Sequence, residues 1–100
     1  MPIQNEEARI ETNLKFTNQF EKQLDKISNK RIRHQITNVL QELKDAPTLA
    51  SVASVKKLKG YSKAYRIRSG GYRIGLFQEQ GGYITVAHID VRGYFYQRFP

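Results

Sequence analysis

Residues 64–78 read Ala64-Tyr65-Arg66-Ile67-Arg68-Ser69-Gly70-Gly71-Tyr72-Arg73-Ile74-Gly75-Leu76-Phe77-Gln78. Two runs rich in aromatic and β-branched residues flank a Ser69-Gly70-Gly71 turn. That is the pattern of a β-hairpin, since glycine supplies the backbone angles a tight connection needs. A third run, Tyr83 to Asp90, comes after Gly81 and Gly82, so the strands Ala64–Arg68, Tyr72–Gln78 and Tyr83–Asp90 form a three-stranded antiparallel meander. Strand side chains alternate between faces, which sends Arg66 and Arg68 one way and Tyr65 and Ile67 the other. Arg73 opens the partner strand; if it shares the face of Arg66 and Arg68, three guanidinium groups converge within reach of one phosphate.

Such a meander has one apolar face to cover, and the residues before it supply the cover. Phe16, Phe20, Leu24 and Ile27 recur at helical spacing, with Thr17 or Asn18 available as cap. Ser28 and Asn29 interrupt, and a second helix runs from about Lys30 to Lys44, where Ile32, Ile36, Val39, Leu40 and Leu43 share a face. Pro47 lies just past its end, where a missing amide donor does no harm. Helices joined so briefly form an antiparallel hairpin. Further upstream, Ile10 to Lys15 reads as a short strand and residues 1–9 as a flexible, polar lead-in. Downstream, Arg92 to Pro100 is either a helical turn or an extended tail, docked on the sheet by its aromatic rings. The predicted fold is α+β, a single domain over residues 1–100, in the order strand, helical hairpin, meander, aromatic tail.

The charge is unevenly distributed. Residues 1–50 carry eight basic and seven acidic side chains, whereas residues 51–100 carry nine basic ones against only Glu79 and Asp90. All six tyrosines fall in that second half. Cations hold a phosphate backbone and aromatic rings stack on unpaired bases, so the combination suits single-stranded nucleic acid or another acidic partner. The competing reading is a solvated, solubilising face, which gives no reason for the charge to avoid one half of the chain. Cysteine is absent, consistent with a reducing cytosol. His34 and His88 have no ligand partners at metal spacing, so no metal site is expected. There is no apolar run of membrane-span length and no secretion signal at the start, so the expected location is the cytoplasm, away from membranes.

Arginine suits phosphate because its planar fork grips oxygens in pairs and stays charged at any relevant pH. The alternative, that strand alternation merely turns polar residues to solvent, would be expected to mix signs, and Arg66, Arg68 and Arg73 do not. Lys56, Lys57 and Lys59, in the run Val55 to Lys59, and then Lys63 extend the positive surface as RNA-binding candidates, though a lysine run is also an ordinary solvated loop. In an extended tail, even spacing would aim Arg92, Tyr94 and Tyr96 one way; alternatively Tyr94, Phe95, Tyr96 and Phe99 pack the terminus into the core. His34 sits on the polar side of the second helix. His88 continues the alternation of Ile84 and Val86, which places it on their face at a core margin.

Taken together, Lys57-Leu58-Lys59-Gly60, Tyr65-Arg66-Ile67-Arg68, Gly71-Tyr72-Arg73-Ile74-Gly75 and the Arg92 to Pro100 segment ending in Phe-Pro resemble the RelE/ParE superfamily of bacterial toxins over nearly the whole domain. The resemblance implies the toxin half of a type II toxin-antitoxin pair, with an antitoxin whose acidic segment lies over the basic face or the helical hairpin. Members resembling RelE cut messenger RNA in the ribosomal A site, whereas members resembling ParE poison DNA gyrase and cut nothing. One fold carries both functions. A plain basic nucleic-acid-binding module is a third reading.

Carried over position by position, Arg66 and Arg68 take the strand sites of basic residues, Arg73 the arginine after the turn, and Arg92 and Tyr96 the arginine and tyrosine of the tail. The implied activity is a metal-independent and cofactor-independent endoribonuclease in which the 2′-hydroxyl attacks its own phosphate. In that scheme Arg68 and Arg73 stabilise the phosphorane, Arg66 orients the backbone, and Tyr96 stacks on a base or assists a proton. Arg73→Ala is then expected to abolish toxicity with the fold intact. The chain departs from the family pattern in two places: Val91 stands where many members have histidine, and Arg66 and Arg68 where some nucleases have lysine. Arginine is a poor proton shuttle, which leaves Tyr96, Tyr94, His88 and Asp90 as candidate bases.

Overall fold

The computed structural model describes residues 14–100. The lead-in over residues 1–9 and most of the Ile10–Lys15 strand lie outside the described residues. The elements are β1 (Leu14–Phe16), α1 (Asn18–Asp25), α2 (Lys30–Asp45), β2 (Val55–Lys57), β3 (Ala64–Ser69), β4 (Tyr72–Gln78), β5 (Ile84–Val91) and α3 (Arg92–Arg98), with single 3-10 turns at Leu49–Ser51 and Gln80–Gly82. Both leading helices start at side-chain caps. Thr17 accepts from the Phe20 amide and Asn29 from the Ile32 amide, each satisfying a donor that the first turn leaves free. Arg33 Nη1 donates to the Leu24 and Ile27 carbonyls at 2.7 and 3.0 Å, tying the second helix of the hairpin to the end of the first.

The meander β3–β4–β5 forms as expected and lies inside a larger sheet of order β1-β5-β4-β3-β2. β1 adds in parallel to β5, pairing Leu14 with Ile84. β2 adds antiparallel to β3, pairing Lys56 with Arg66. This second addition corrects the reading of Val55–Lys59 as a run lying merely ahead of the strands. Three residues with two lysines carry too little alternation to announce a strand, and lysine on an outer strand discourages further pairing. The turn between β3 and β4 contains Gly70 and Gly71, and Gly70 takes φ +59°, a conformation that strains any residue with a side chain.

Two clusters fill the two faces of the sheet. Phe20, Ile36 and Leu43 from the helices meet Ile67, Ile74, Leu76, Ile84, Val86 and Ile89 from the strands, all buried. On the opposite face, Phe95 and Phe99 of the chain end pack with Ala64, Phe77, Ala87 and Leu58. The tail is therefore a docked helix. Phe95 and Phe99, one helical turn apart, both reach the sheet with ring centroids 5.3 Å from each other, whereas an extended chain would hold positions four apart roughly 13 Å from each other. Among the described residues, no helix is long and apolar enough to cross a membrane.

One irregularity bears on the site. The β4–β5 register shifts between Gly75 and Leu76, so that Gly75 pairs with His88 and Leu76 with Val86. The extra residue makes Ile89, rather than His88, continue the Ile84–Val86 core. His88 instead stacks near Phe95 and Phe99, at ring distances of 5.9 and 5.8 Å, which corrects its expected placement.

Candidate nucleic-acid interface

Register assembles the cations. Lys56 lies opposite Arg66 on the β2–β3 pair, and Arg68 lies opposite Arg73 on the β3–β4 pair. Directly opposed residues project to the same face, and Arg66 and Arg68 are two apart on one strand. All four side chains therefore leave the face opposite the helical hairpin. Cross-strand neighbours stand roughly 5 Å apart and successive rows about 7 Å apart, a spacing within the reach of one phosphodiester and its neighbours. α3 covers only part of this face. Its Phe99 ring sits directly over Gly75, where an added Cβ would come within 2.7 Å of the ring, and it packs with Ala64 at the start of β3, while Lys56 and Arg68 stay exposed.

The cations are held in different ways. Arg66 is half-buried and its Nη1 donates to the Ser54 carbonyl at 3.1 Å. Arg73 is only 8% exposed, and its Nη1 donates to the carbonyls of Gly70 and Tyr72, both at 3.0 Å. It braces the turn as well as contributing charge, so Arg73→Ala perturbs structure and chemistry together. Arg68, Lys56 and Arg92 are exposed. The Arg92 amide donates to the Gly71 carbonyl at 2.9 Å, which sets the start of α3 against the β3–β4 turn. Among the described residues the ion pairs are Lys63–Glu79 and Arg98–Asp90, with His88 hydrogen-bonded to Asp90; none involves Lys56, Arg66, Arg68, Arg73 or Arg92. Carbonyl partners orient a guanidinium without cancelling its charge.

The remaining basic candidates do not all gather here. Lys57 pairs with Tyr65 and so faces away from Lys56. Lys63 donates to Glu79 at 2.9 Å near the opposite end of β3 from the Arg68–Arg73 pair. That Lys63 bond, with one from the Thr85 hydroxyl, holds the Glu79 carboxyl below its ordinary value. Lys59 lines a cleft of about 450 Å³ with Leu58, Tyr61, Tyr96, Phe99 and Pro100. The helical tail also separates residues that an extended one would have aligned. Arg92 and Tyr96, four apart, share one side of α3, whereas Tyr94 lies under the Arg98 guanidinium at 4.6 Å.

Two of the four candidate bases are engaged elsewhere. His88 is 3% exposed. Gln23 Oε1 accepts from the Ile89 amide at 2.9 Å, which turns its amide nitrogen toward His88 Nδ1 at 3.3 Å. Nδ1 is therefore the acceptor and Nε2–H the donor to Asp90 Oδ2 at 3.3 Å. Asp90 also accepts from Arg98 at 3.2 Å. Tyr94 and Tyr96 keep exposed rings. Tyr61, overlooked in the sequence, is a further exposed aromatic, and its position after the Lys57–Gly60 motif was the only signal for it.

Residues 14–92 match the family model described as the ParE toxin of the type II toxin-antitoxin system parDE. The chain is 34% identical over 86 residues to Toxin RelE3 of Methanocaldococcus jannaschii, covering 85% of this chain and 96% of that protein. Its fold is similar to the crystal structure of the RelB-RelE antitoxin-toxin complex from Methanococcus jannaschii. That match has a TM-score of 0.70 and 31% identity, over 86% of this chain and 99% of the other. The archaeal RelE-RelB complex from Pyrococcus horikoshii OT3 shares the fold at a TM-score of 0.66 and 23% identity, over 83% and 97% of the two chains.

Proposed function

Because the chain belongs to the RelE/ParE superfamily of type II toxin-antitoxin toxins, we propose that it is a ribosome-dependent endoribonuclease that cuts messenger RNA in the A site and is restrained by a cognate antitoxin. The observation that carries this reading is the pair of adjoining cross-strand rows, Lys56–Arg66 and Arg68–Arg73, with Lys56 and Arg68 exposed; no described carboxylate forms an ion pair with the four, and Asp90, opposite Arg73 on β5, is bound instead to His88 and Arg98. In the reaction the 2′-oxygen forms a bond to its own phosphorus and the P–O5′ bond breaks, giving a 2′,3′-cyclic phosphate and a free 5′-hydroxyl. Charge accumulates on the non-bridging oxygens, and fixed guanidinium groups stabilise it without reorganising. Arg68 and Arg73 take that role, Arg66 and Lys56 grip the flanking backbone, and Arg92 and Tyr96 approach from α3. Proton transfer falls to Tyr96 or to a group on the ribosome, since His88 and Asp90 are engaged with each other. The antitoxin of this reading lays acidic side chains over the same rows.

A second reading, non-catalytic inhibition of gyrase, draws on Val91 at the position before the tail arginine and on the absence, among the described residues, of an exposed imidazole near the rows. Primer extension on translated messenger after brief induction separates the two. Codon-phased breaks are expected here; intact messenger with an SOS response would overturn the nuclease in favour of gyrase.

A further inference from the structure

The cleft beside α3 shares Tyr96 with the proposed cleavage site, and the rest of its lining has no part in that reaction. Tyr61, on the loop between β2 and β3, and Tyr96, on α3, are each 52% exposed and both line it. Leu58 and Phe99, members of the cluster that fills this side of the sheet, give it an apolar floor. The Tyr96 ring is fixed from behind by Phe95, edge-on at 89° with centroids 5.0 Å apart. Gly60 precedes Tyr61 with φ +88°, so the loop turns in a conformation that a side chain at that position would strain. Lys59 lines the same cleft and adds a cation at its edge. Exposed aromatic rings over an apolar floor, next to a basic face, are what a flat ring attached to a polyanion requires.

We propose that the cleft between Tyr61 and Tyr96 receives one unpaired nucleobase of the RNA strand, with Tyr61 as a second aromatic wall and Lys59 on the adjoining phosphate. The proposal rests on the reading of the Lys56–Arg66 and Arg68–Arg73 rows as the phosphate-binding face, which carries the strand toward the cleft. Charge complementarity selects the occupant: residues 51–100 hold nine basic side chains against two acids, and an uncharged apolar ligand would make no use of them.

The test uses a fluorescein-labelled oligodeoxyadenylate of six nucleotides, which lacks the attacking hydroxyl and cannot be cut, and its abasic counterpart. Binding is measured by anisotropy across a salt series. Tyr61→Ala is expected to weaken binding of the adenylate roughly tenfold and to leave the log–log salt slope unchanged, because the ring contacts no phosphate. Tyr61→Phe is expected to bind as the parent does, and the abasic strand to be indifferent to either change. Lys59→Ala is expected to lower the slope by about 0.7. Equal binding of the adenylate by the parent and Tyr61→Ala, with the parent still binding tightly, would overturn the base cleft alone. No binding of either strand by the parent would overturn both the cleft and the phosphate face. Tyr61 is exposed, so folding of the variants is checked simply by circular dichroism.

Discussion

Arg68 and Arg73 face each other across one strand pair yet differ in what they are free to do. Arg68 is exposed, whereas Arg73 spends one nitrogen on two turn carbonyls. Arg68→Ala is expected to lower cleavage on the order of 10²-fold while moving stability by less than about 0.5 kcal/mol, read by primer extension and urea denaturation on the same protein. Arg73→Ala is expected to cost about 1–3 kcal/mol as well, since a buried side chain is removed and two part-buried turn carbonyls lose their donor. Equal stability of the two variants would contradict this division. That Arg66, Arg68 and Arg73 share a face was legible, because strand alternation has a fixed period of two. The burial of Arg73 was not, because its neighbours, Asp90 across β4–β5 and the turn carbonyls of Gly70 and Tyr72, are set by strand register. His88 was misplaced for a related reason: one extra residue in β5 reverses the alternation, and nothing in Ile84-Thr85-Val86-Ala87-His88 marks it. Nitrogen-15 chemical shifts are expected to show Nε2–H as its tautomer in the neutral ring; an Nδ1–H ring would break the Gln23–His88–Asp90 chain.

At the level of elements, α3 docks on β4 and β5, which brings Arg92 and Tyr96 to the candidate face, and one glycine makes the docking possible. Gly75→Ala puts a methyl group within 2.7 Å of the Phe99 ring and is expected to destabilise the protein by about 1–3 kcal/mol. Phe95→Ala, which empties a fully buried position, is expected to cost about 3–5 kcal/mol. A Gly75→Ala protein as stable as the parent in chemical denaturation would show that the chain end does not seat over Gly75. The Lys63–Glu79 pair contributes in a defined direction. Lys63 first, and Thr85 next, hold the Glu79 carboxyl below 4.5 in the folded protein. Its contribution is therefore present above about that pH and is lost as pH falls through the lower folded value. Glu79→Gln is expected to lower stability by no more than about 1 kcal/mol at neutral pH and by less in acid, tracked as thermal midpoint against pH. The hydrophobic periods of α1, α2 and β4 announced those elements, and β4 has the bounds expected, Tyr72–Gln78. β2 and α3 depended on long-range partners. Val55–Lys57 is a strand because β3 offers it an edge, and Arg92–Arg98 is a helix because Ala64, Phe77 and Ala87 offer Phe95 and Phe99 a seat.

For the molecule as a whole, the hairpin helices cover one face of the sheet and α3 covers part of the other, leaving a basic strip on a chain of net charge +8. Charge of that size on an open face attracts polyanions and acidic peptides from a distance, and salt screens the attraction. Under the proposed function the antitoxin and the messenger compete for one surface, so an acidic antitoxin segment is expected to protect Arg68 and Lys56 from chemical modification. The central claim is that this strip aligns a phosphodiester for attack by its own 2′-hydroxyl. The most direct measurement incubates purified toxin with programmed ribosomes in the presence of a metal chelator added after complex assembly, and analyses the ends of any fragments. The account predicts codon-phased fragments ending in 2′,3′-cyclic phosphate and beginning with 5′-hydroxyl, formed on the order of 100-fold more slowly by Arg68→Ala; intact messenger with parent toxin, or equal cutting by parent and variant, would contradict it.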